Sequence, residues 1–340
     1  MHQPDNRRYL QDLIKGYRTT QVLISCAELG VFEHLKEEGS GAEDLAQLTG
    51  SNPAAMARLL NAAVALKLLG KQGDLYFAED LAHDCLLPGA PRYMGNILKR
   101  EGAFYRRWSH LTATVKSGKR PTINLHEENN TQWVHNFEMA LLDTARFVGP
   151  LIAVGLAPYL PHQDTQIAKV IDVGGGHGGY SIALAETYPK LEALVFELPE
   201  AAAVALEVIA QSAVADRVKV RAGDFRKDEL GTGFDMALLF GVLVSETPPN
   251  ALALLQKVYS ALKSGGVIVI RGFYLGPDKA SPLEATLYDL HMLLSTEAGG
   301  AQTLDELIEW LQTVGFRSFE TVSLPYPEQS DLLIAHKPFV

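Results

Sequence analysis

The sequence is poor in cysteine, with Cys26 and Cys85 alone among 340 residues. Both sit in apolar stretches and neither stands at metal-ligand spacing, so there is no disulfide framework and the two read as buried thiols of a reducing compartment. No apolar run approaches the ~20 residues of a membrane span. The start MHQPDNRRYLQDL lacks the apolar core of a signal peptide, and the expectation is a cytoplasmic protein without a membrane partner. Basic charge is also scarce, with 30 Lys and Arg against 40 Asp and Glu for a formal net charge of -10. A phosphate backbone would have to be met by a local basic patch against that field, which makes nucleic acid a poor partner. No His/Cys/Asp cluster has the spacing of a dedicated metal site, and no metal is expected. Apolar residues are abundant: at 47% of the chain they are enough to bury a large core and to fill two domains.

Residues 9–35 carry apolar side chains at helical spacing and read as two packed helices or one bent one. Ser40 with Glu43 predicts a capping box opening the short helix of GAEDLAQLTG, closed by Gly50. Asn52 before Pro53 predicts an N-cap and first-turn proline for an apolar helix running to Gly70, and GKQGDLYFAED alternates around a Gly-Asp turn like a small hairpin. Helices followed by a hairpin in this order make a winged helix, the shape of many DNA readers. The would-be recognition helix, however, offers only Arg58 and Lys67 against a row of Ala, Leu and Val, too few donors for base readout. Dimerisation through apolar helix faces is the preferred reading, and a winged-helix DNA-binding regulator is the alternative from another class.

Two helical stretches follow between residues 93 and 160, rich in aromatics: Phe104, Tyr105 and Trp108, then Trp133, Phe137, Met139 and Phe147. Such stripes are core or pocket wall. Pro150, Pro158 and Pro161 are expected to break the helical pattern. The domain plan is therefore 1–95, a helical segment 96–160, and 161–340. Beyond Ile167 the runs KVIDVG, EALVFEL, VKVRAGD, MALLFGV and GVIVIRGF alternate with helical segments, which predicts a parallel sheet with helices on both faces and DLLIAHKP as its last edge strand.

The chemistry concentrates in VIDVGGGHGGYSIALAETYP. A buried strand ends at Asp172-Val173, turns through Gly174, Gly175, Gly176 and Gly178, and enters a helix near Tyr180. Glycines suit a turn that needs positive φ and lets a ligand approach the backbone at a helix N-terminus. The acid before the first glycine would repel a diphosphate and attract the sulfonium and ammonium of S-adenosylmethionine. At the end of the next strand Glu197 in FELP can accept both hydroxyls of a ribose, and AGDF places Gly223, Asp224 and Phe225 where an acid can take an adenine amino group and an aromatic can cover its ring.

These residues, with LKSGGVIVI and TLDELIEWL, resemble the small-molecule O-methyltransferases of the plant caffeic acid and acetylserotonin type and their bacterial natural-product relatives, over essentially the whole chain. The resemblance implies a Rossmann-like class I methyltransferase α/β domain behind a winged-helix dimerisation domain, and a homodimer acting on a small-molecule acceptor. It places the methionine part of S-adenosylmethionine at Gly174, Gly175 and Gly176, its ribose at Glu197, and its adenine at Asp224 and Phe225. Phe240 falls where the family often has a basic or polar residue near the cofactor, and Met139 with the nearby aromatics Trp133 and Phe104 is implied to line the acceptor pocket. The family's catalytic histidine falls on Val244, followed by Ser245 and Glu246 in place of Asp-Trp, and its Gly-Gly-Lys-Glu-Arg-Thr run shortens to GGAQT. Valine is no base. The sequence thus leaves three cases: an activated acceptor, a base from elsewhere, or a cofactor-binding protein that does not methylate. His291 in YDLHMLL is the substitute base, ahead of Tyr288 and Glu246, and His177 is expected to face solvent or the cofactor carboxylate.

Overall fold

The computed structural model describes residues 5–121, 130–161, 166–324 and 331–339, so the first four residues of the expected leaderless start lie outside the described part. The chain divides into two compact units, Met1–Arg106 and Arg107–Val340.

In the first unit α1 (Asn6–Glu28) and α2 (Val31–His34) are separate helices, because Gly30 between them takes φ +71°. Then come β1 (Ser40–Gly41), α3 (Ala42–Leu48), α4 (Pro53–Ala65), β2 (Leu69–Gln72), β3 (Leu75–Ala78) and α5 (Asp80–Cys85), with an antiparallel sheet in the order β1-β3-β2. The hairpin turns at Gly73, as the Gly-Asp signal predicts. Asn52 caps α4, its Oδ1 accepting the Ala55 N–H at 3.0 Å. Two expectations are corrected. Ser40 opens no capping box: it pairs with Tyr76 in β1, and its Oγ accepts the Lys36 N–H at 3.1 Å. Nor does α4 reach Gly70, since Lys67 adopts φ +59° and Gly70 lies in β2, where a Cβ would strike the Phe77 ring. Cys26, Phe32, Leu45, Leu60 and Tyr76 close the core, and Asn61 ties helix to hairpin by accepting from both Lys71 and Tyr76 at 2.9 Å.

The division falls within α6 (Gly95–Trp108). The second unit continues with α7 (Leu111–Ser117), α8 (Asn130–Gly155), β4 (Ala168–Val173), α9 (Gly179–Thr187), β5 (Leu191–Glu197), α10 (Pro199–Ala210), β6 (Val218–Ala222) and β7 (Phe234–Phe240). It ends with α11 (Pro248–Ala261), β8 (Leu262–Gly272), α12 (Leu283–Ser295), α13 (Leu304–Val314), β9 (Arg317–Ser323) and β10 (Asp331–His336). Its sheet runs β6-β5-β4-β7-β8-β10-β9, parallel except that β10 pairs antiparallel with both β8 and β9. DLLIAHKP is therefore an inner strand. The edge beyond β10 is β9, none of whose seven residues is buried, so it carries too weak an apolar signal to be read from sequence. Pro150 likewise does not end the helix: α8 continues through it to Gly155, anchored by Val148, Ile152 and Ala153 in the core.

Neighbouring residues of β4 show how the sheet is clothed. Val170 faces a core built with α8, α9 and α10, whereas Ile171 faces one built with α11 and α13, as the two-residue period of a strand requires. Strand order reverses between β4 and β7, which opens a crevice at the carboxyl ends of the strands. Replacing Asn52 by Ala should lower stability by about 1 kcal/mol, the usual worth of such a cap, as a shift of the urea midpoint at unchanged slope.

Candidate active site

The crevice is floored by the turn after β4. Gly174 and Gly176 take φ +68° and +48°, and a Cβ on Gly174 would come within 2.6 Å of Val242. The turn is thus closed to side chains by both conformation and space. Asp172 lies under it, 1% exposed, with Oδ2 accepting the Ser181 hydroxyl at 2.8 Å and Oδ1 without a hydrogen-bond partner. Burial is the main force pushing its pKa up to about 7. Of the two surroundings expected for His177, solvent is ruled out: it is 3% exposed, its Nδ1 accepts the Gly179 N–H at 2.9 Å, and burial first, then Arg146, hold its pKa down at about 3. The imidazole is a neutral piece of the turn because the loop folds inward at a helix start that needs its acceptor.

Glu197 reaches the turn from the end of β5. Its Oε2 accepts the Gly176 N–H at 2.9 Å and its Oε1 the Leu198 N–H at 2.7 Å, and burial raises its pKa against the pull of those two donors. Each oxygen keeps a lone pair for a diol. Beyond β6, Gly223 donates to the Glu197 carbonyl at 2.8 Å, and a Cβ on it would meet the Phe196 ring at 2.5 Å. Asp224 accepts the Arg226 N–H at 2.9 Å and stands 3.1 Å from Lys227, which hold its pKa down, while Phe225 packs on the sheet core. Three successive strand ends thus carry the residues expected there. An anion-repelling floor, a diol acceptor and an aromatic beside an acid fit a cationic adenosyl ligand.

Phe240 ends β7 and meets Tyr180 edge-on at 5.0 Å, and Tyr180 in turn accepts from Arg271 at 2.9 Å. Val244 is 6% exposed in a single helical turn after β7, its carbonyl accepting the Gly300 N–H at 2.9 Å. No basic side chain takes its place in that turn, Leu243–Ser245. His291, on α12, is fully engaged. The Trp108 indole N–H donates to its Nδ1 at 3.3 Å, which leaves the neutral ring's proton on Nε2, 3.2 Å from Ser295 Oγ. Ser295 also accepts from Arg107 at 2.8 Å, and Tyr288 stacks on His291 at 6.3 Å. Glu246 is buried and clamped by both Nε and Nη2 of Arg226.

The residues expected to line the acceptor pocket sit on several elements. Trp133 tilts against Phe137 at 6.0 Å on α8. Met139 lines a groove of about 350 Å³ with Leu142, Ile182 and Val208, between α8, α9 and α10. The residue beside it in sequence was missed. Glu138, about a third of a turn around α8 from Met139, brings its carboxyl against Gly176, 7% exposed and with Oε2 unpartnered. Its signal was available: an acid inside the apolar stretch NFEMALL. Phe104 belongs to the first unit, where the Arg100 guanidinium lies 5.0 Å over its ring. Among the described residues no three His, Cys, Asp or Glu side chains are grouped to hold a metal ion, and no helix is long and apolar enough to cross a membrane.

Because Asp172 keeps its proton to about pH 7 when folded and near 3.8 otherwise, the folded chain holds a proton that the unfolded chain has lost across that window. Its contribution to stability therefore falls as pH rises through it. Asp172→Asn should gain stability relative to the parent progressively from pH 4 to pH 8, with Ser181 still donating to the amide oxygen. Thermal melts of cofactor-free protein check this, and a constant difference across that range would contradict it.

Residues 160–317 match the family model of an O-methyltransferase domain, and residues 11–87 that of an O-methyltransferase dimerisation domain. Acetylserotonin O-methyltransferase of Bos taurus is 32% identical over 91% of this chain and 92% of its own length. The 3-hydroxy-5-methyl-1-naphthoate 3-O-methyltransferase of Streptomyces sahachiroi is 29% identical over 94% and 92%. The crystal structure of human N-acetylserotonin methyltransferase with S-adenosylmethionine superposes with a TM-score of 0.87 at 26% identity, covering 99% of both chains. The helical unit thus matches a dimerisation domain, which favours that role over a DNA-binding regulator. The chain belongs to the O-methyltransferase family and is an S-adenosylmethionine-dependent methyltransferase, with that family's dimerisation domain ahead of its catalytic domain.

Proposed function

We propose that this enzyme transfers the methyl group of S-adenosylmethionine to a small aromatic acceptor, on oxygen or carbon, that is nucleophilic without a protein base. The methionine part of the cofactor lies at Gly174, Gly175 and Gly176 over Asp172, its ribose at Glu197, its adenine at Gly223, Asp224 and Phe225, with Phe240 alongside. Relatives whose names give a hydroxynaphthoate and acetylserotonin as acceptors support the substrate class. The same reading divides the chain at residues 95 and 160, with the middle segment over the acceptor.

One observation carries the mechanism. Val244 offers no base, and the nearest substitute by sequence, His291, has Nδ1 occupied by Trp108 and Nε2 turned to Ser295. A ring held this way has no lone pair ready for a proton. In-line methyl transfer can then rest on proximity and orientation, provided the acceptor is ionised or carbon-nucleophilic by its own chemistry. Across a series of phenols the rate should follow each acceptor's own pKa. His291→Ala should cost less than about tenfold in kcat, well below the 10² to 10⁴ of a general base. A loss of a hundredfold with cofactor affinity intact would make His291 the base. Cofactor binding without turnover of phenols, carbon acids and amines would favour a non-methylating reaction.

The homodimer is part of the same proposal. Tyr9, Leu10, Leu13, Ile14 and Tyr17 are all more than half exposed on α1, an apolar face that runs into the segment matched as a dimerisation domain, which begins at residue 11. Leu13→Glu combined with Ile14→Glu should convert a dimer to a monomer in light scattering at micromolar concentration, and an unchanged mass would remove this face from the interface.

A further inference from the structure

The glycine turn is crowded by carboxyls that its assigned roles do not use. Gly176 lies between two of them. On one side Glu197 accepts its N–H at 2.9 Å, and on the other Glu138 of α8 fills the space where a Cβ would stand. Glu138 is 7% exposed and its Oε2 has no hydrogen-bond partner, and beneath the turn Asp172 Oδ1 has none either. Two buried acceptors with nothing to accept from, at one turn, are a cost that a native site carries for a ligand that supplies the missing charge or donors. The three do not form a metal-ligating group among the described residues. An organic cation would supply the missing charge.

We propose that Glu138 recognises the positively charged methionyl end of S-adenosylmethionine, and that its carboxyl releases a proton to solvent when the cofactor binds. This rests on the cofactor reading above and adds to it a residue and a protonation step. The groups that set the state of Glu138 are burial first, then Glu197 of β5 across Gly176, both raising its pKa to about 8, against the His177 backbone N–H, which lowers it. Asp172 of β4 faces the same turn, and the buried His177 ring stays neutral, so neither supplies a positive charge. Arg146, on α8 itself, enters only by disfavouring a charged His177. Without ligand, Glu138 is therefore a neutral acid at pH 7. A sulfonium or ammonium brought into the turn stabilises the carboxylate, the O–H bond breaks, and the proton passes to buffer while both electrons stay on oxygen.

The test is calorimetry of S-adenosylmethionine binding to the full-length chain at pH 7 in phosphate and in Tris, whose different heats of ionisation report the protons exchanged. The parent should release between half a proton and one per site. Glu138→Gln should still bind, release at least half a proton less, and lose affinity by tenfold or more at pH 8.5, where the parent carboxylate is formed. Glu138→Asp, which keeps a carboxyl, should keep a measurable release. Release with S-adenosylhomocysteine as well assigns the ammonium, and release with the methyl donor alone assigns the sulfonium. Binding by the parent without release, or undiminished release by Glu138→Gln, overturns the proposal and leaves the cofactor reading standing. Failure of the parent to bind S-adenosylmethionine would overturn both.

Discussion

Two carboxyls meet at one glycine, and much of the catalytic unit is arranged around that constraint. Gly176 can sit between Glu138 and Glu197 only because it has no side chain and takes φ +48°. The turn in turn fixes the start of α9, lets His177 cap the Gly179 N–H from inside, and leaves Asp172 and Ser181 to join strand to helix. Like charges held in a dry pocket repel each other and resist ionisation. A positive charge brought there would relieve that repulsion, and a diphosphate would add to it.

The same turn was the most legible part of the sequence, for a physical reason. Positive φ at close quarters admits almost nothing but glycine, so DVGGGHGG announces its conformation, and an acid or aromatic at a strand end is readable once the strand is. Glu197, Asp224 and Phe225 stand at the ends of β5 and β6 as expected. What was not legible depended on partners distant in sequence. The burial of His177 depends on its contacts with Gly179 and Tyr180, which a loop sequence does not announce. Ser40 obeyed a local capping rule that lost to strand pairing with Tyr76, and Pro150 obeyed a helix-breaking rule that lost to core packing of Val148 and Ile152. Met139 and Glu138 are adjacent in sequence, and only the rotation of α8 sends one to a groove and the other to the turn.

Around Val244, Glu246 and His291 the side chains are already committed to partners. Val244 closes a buried helical turn, Glu246 is held by Arg226, and His291 is held between Trp108, Tyr288 and Ser295. Residues bound this firmly position surfaces well and move protons poorly.

The proline inside α8 has a mechanical meaning. Its ring removes one backbone donor and crowds the carbonyl a turn earlier, so the helix is less stiff at residue 150 than along either arm. The C-terminal arm is held in the core through Ile152 and Ala153 and the N-terminal arm through Ala145 and Val148, with Glu138 further along it. Glu138 lies twelve residues before the joint, a lever about 18 Å long, so each few degrees of bend at Pro150 correspond to about an ångström at the carboxyl.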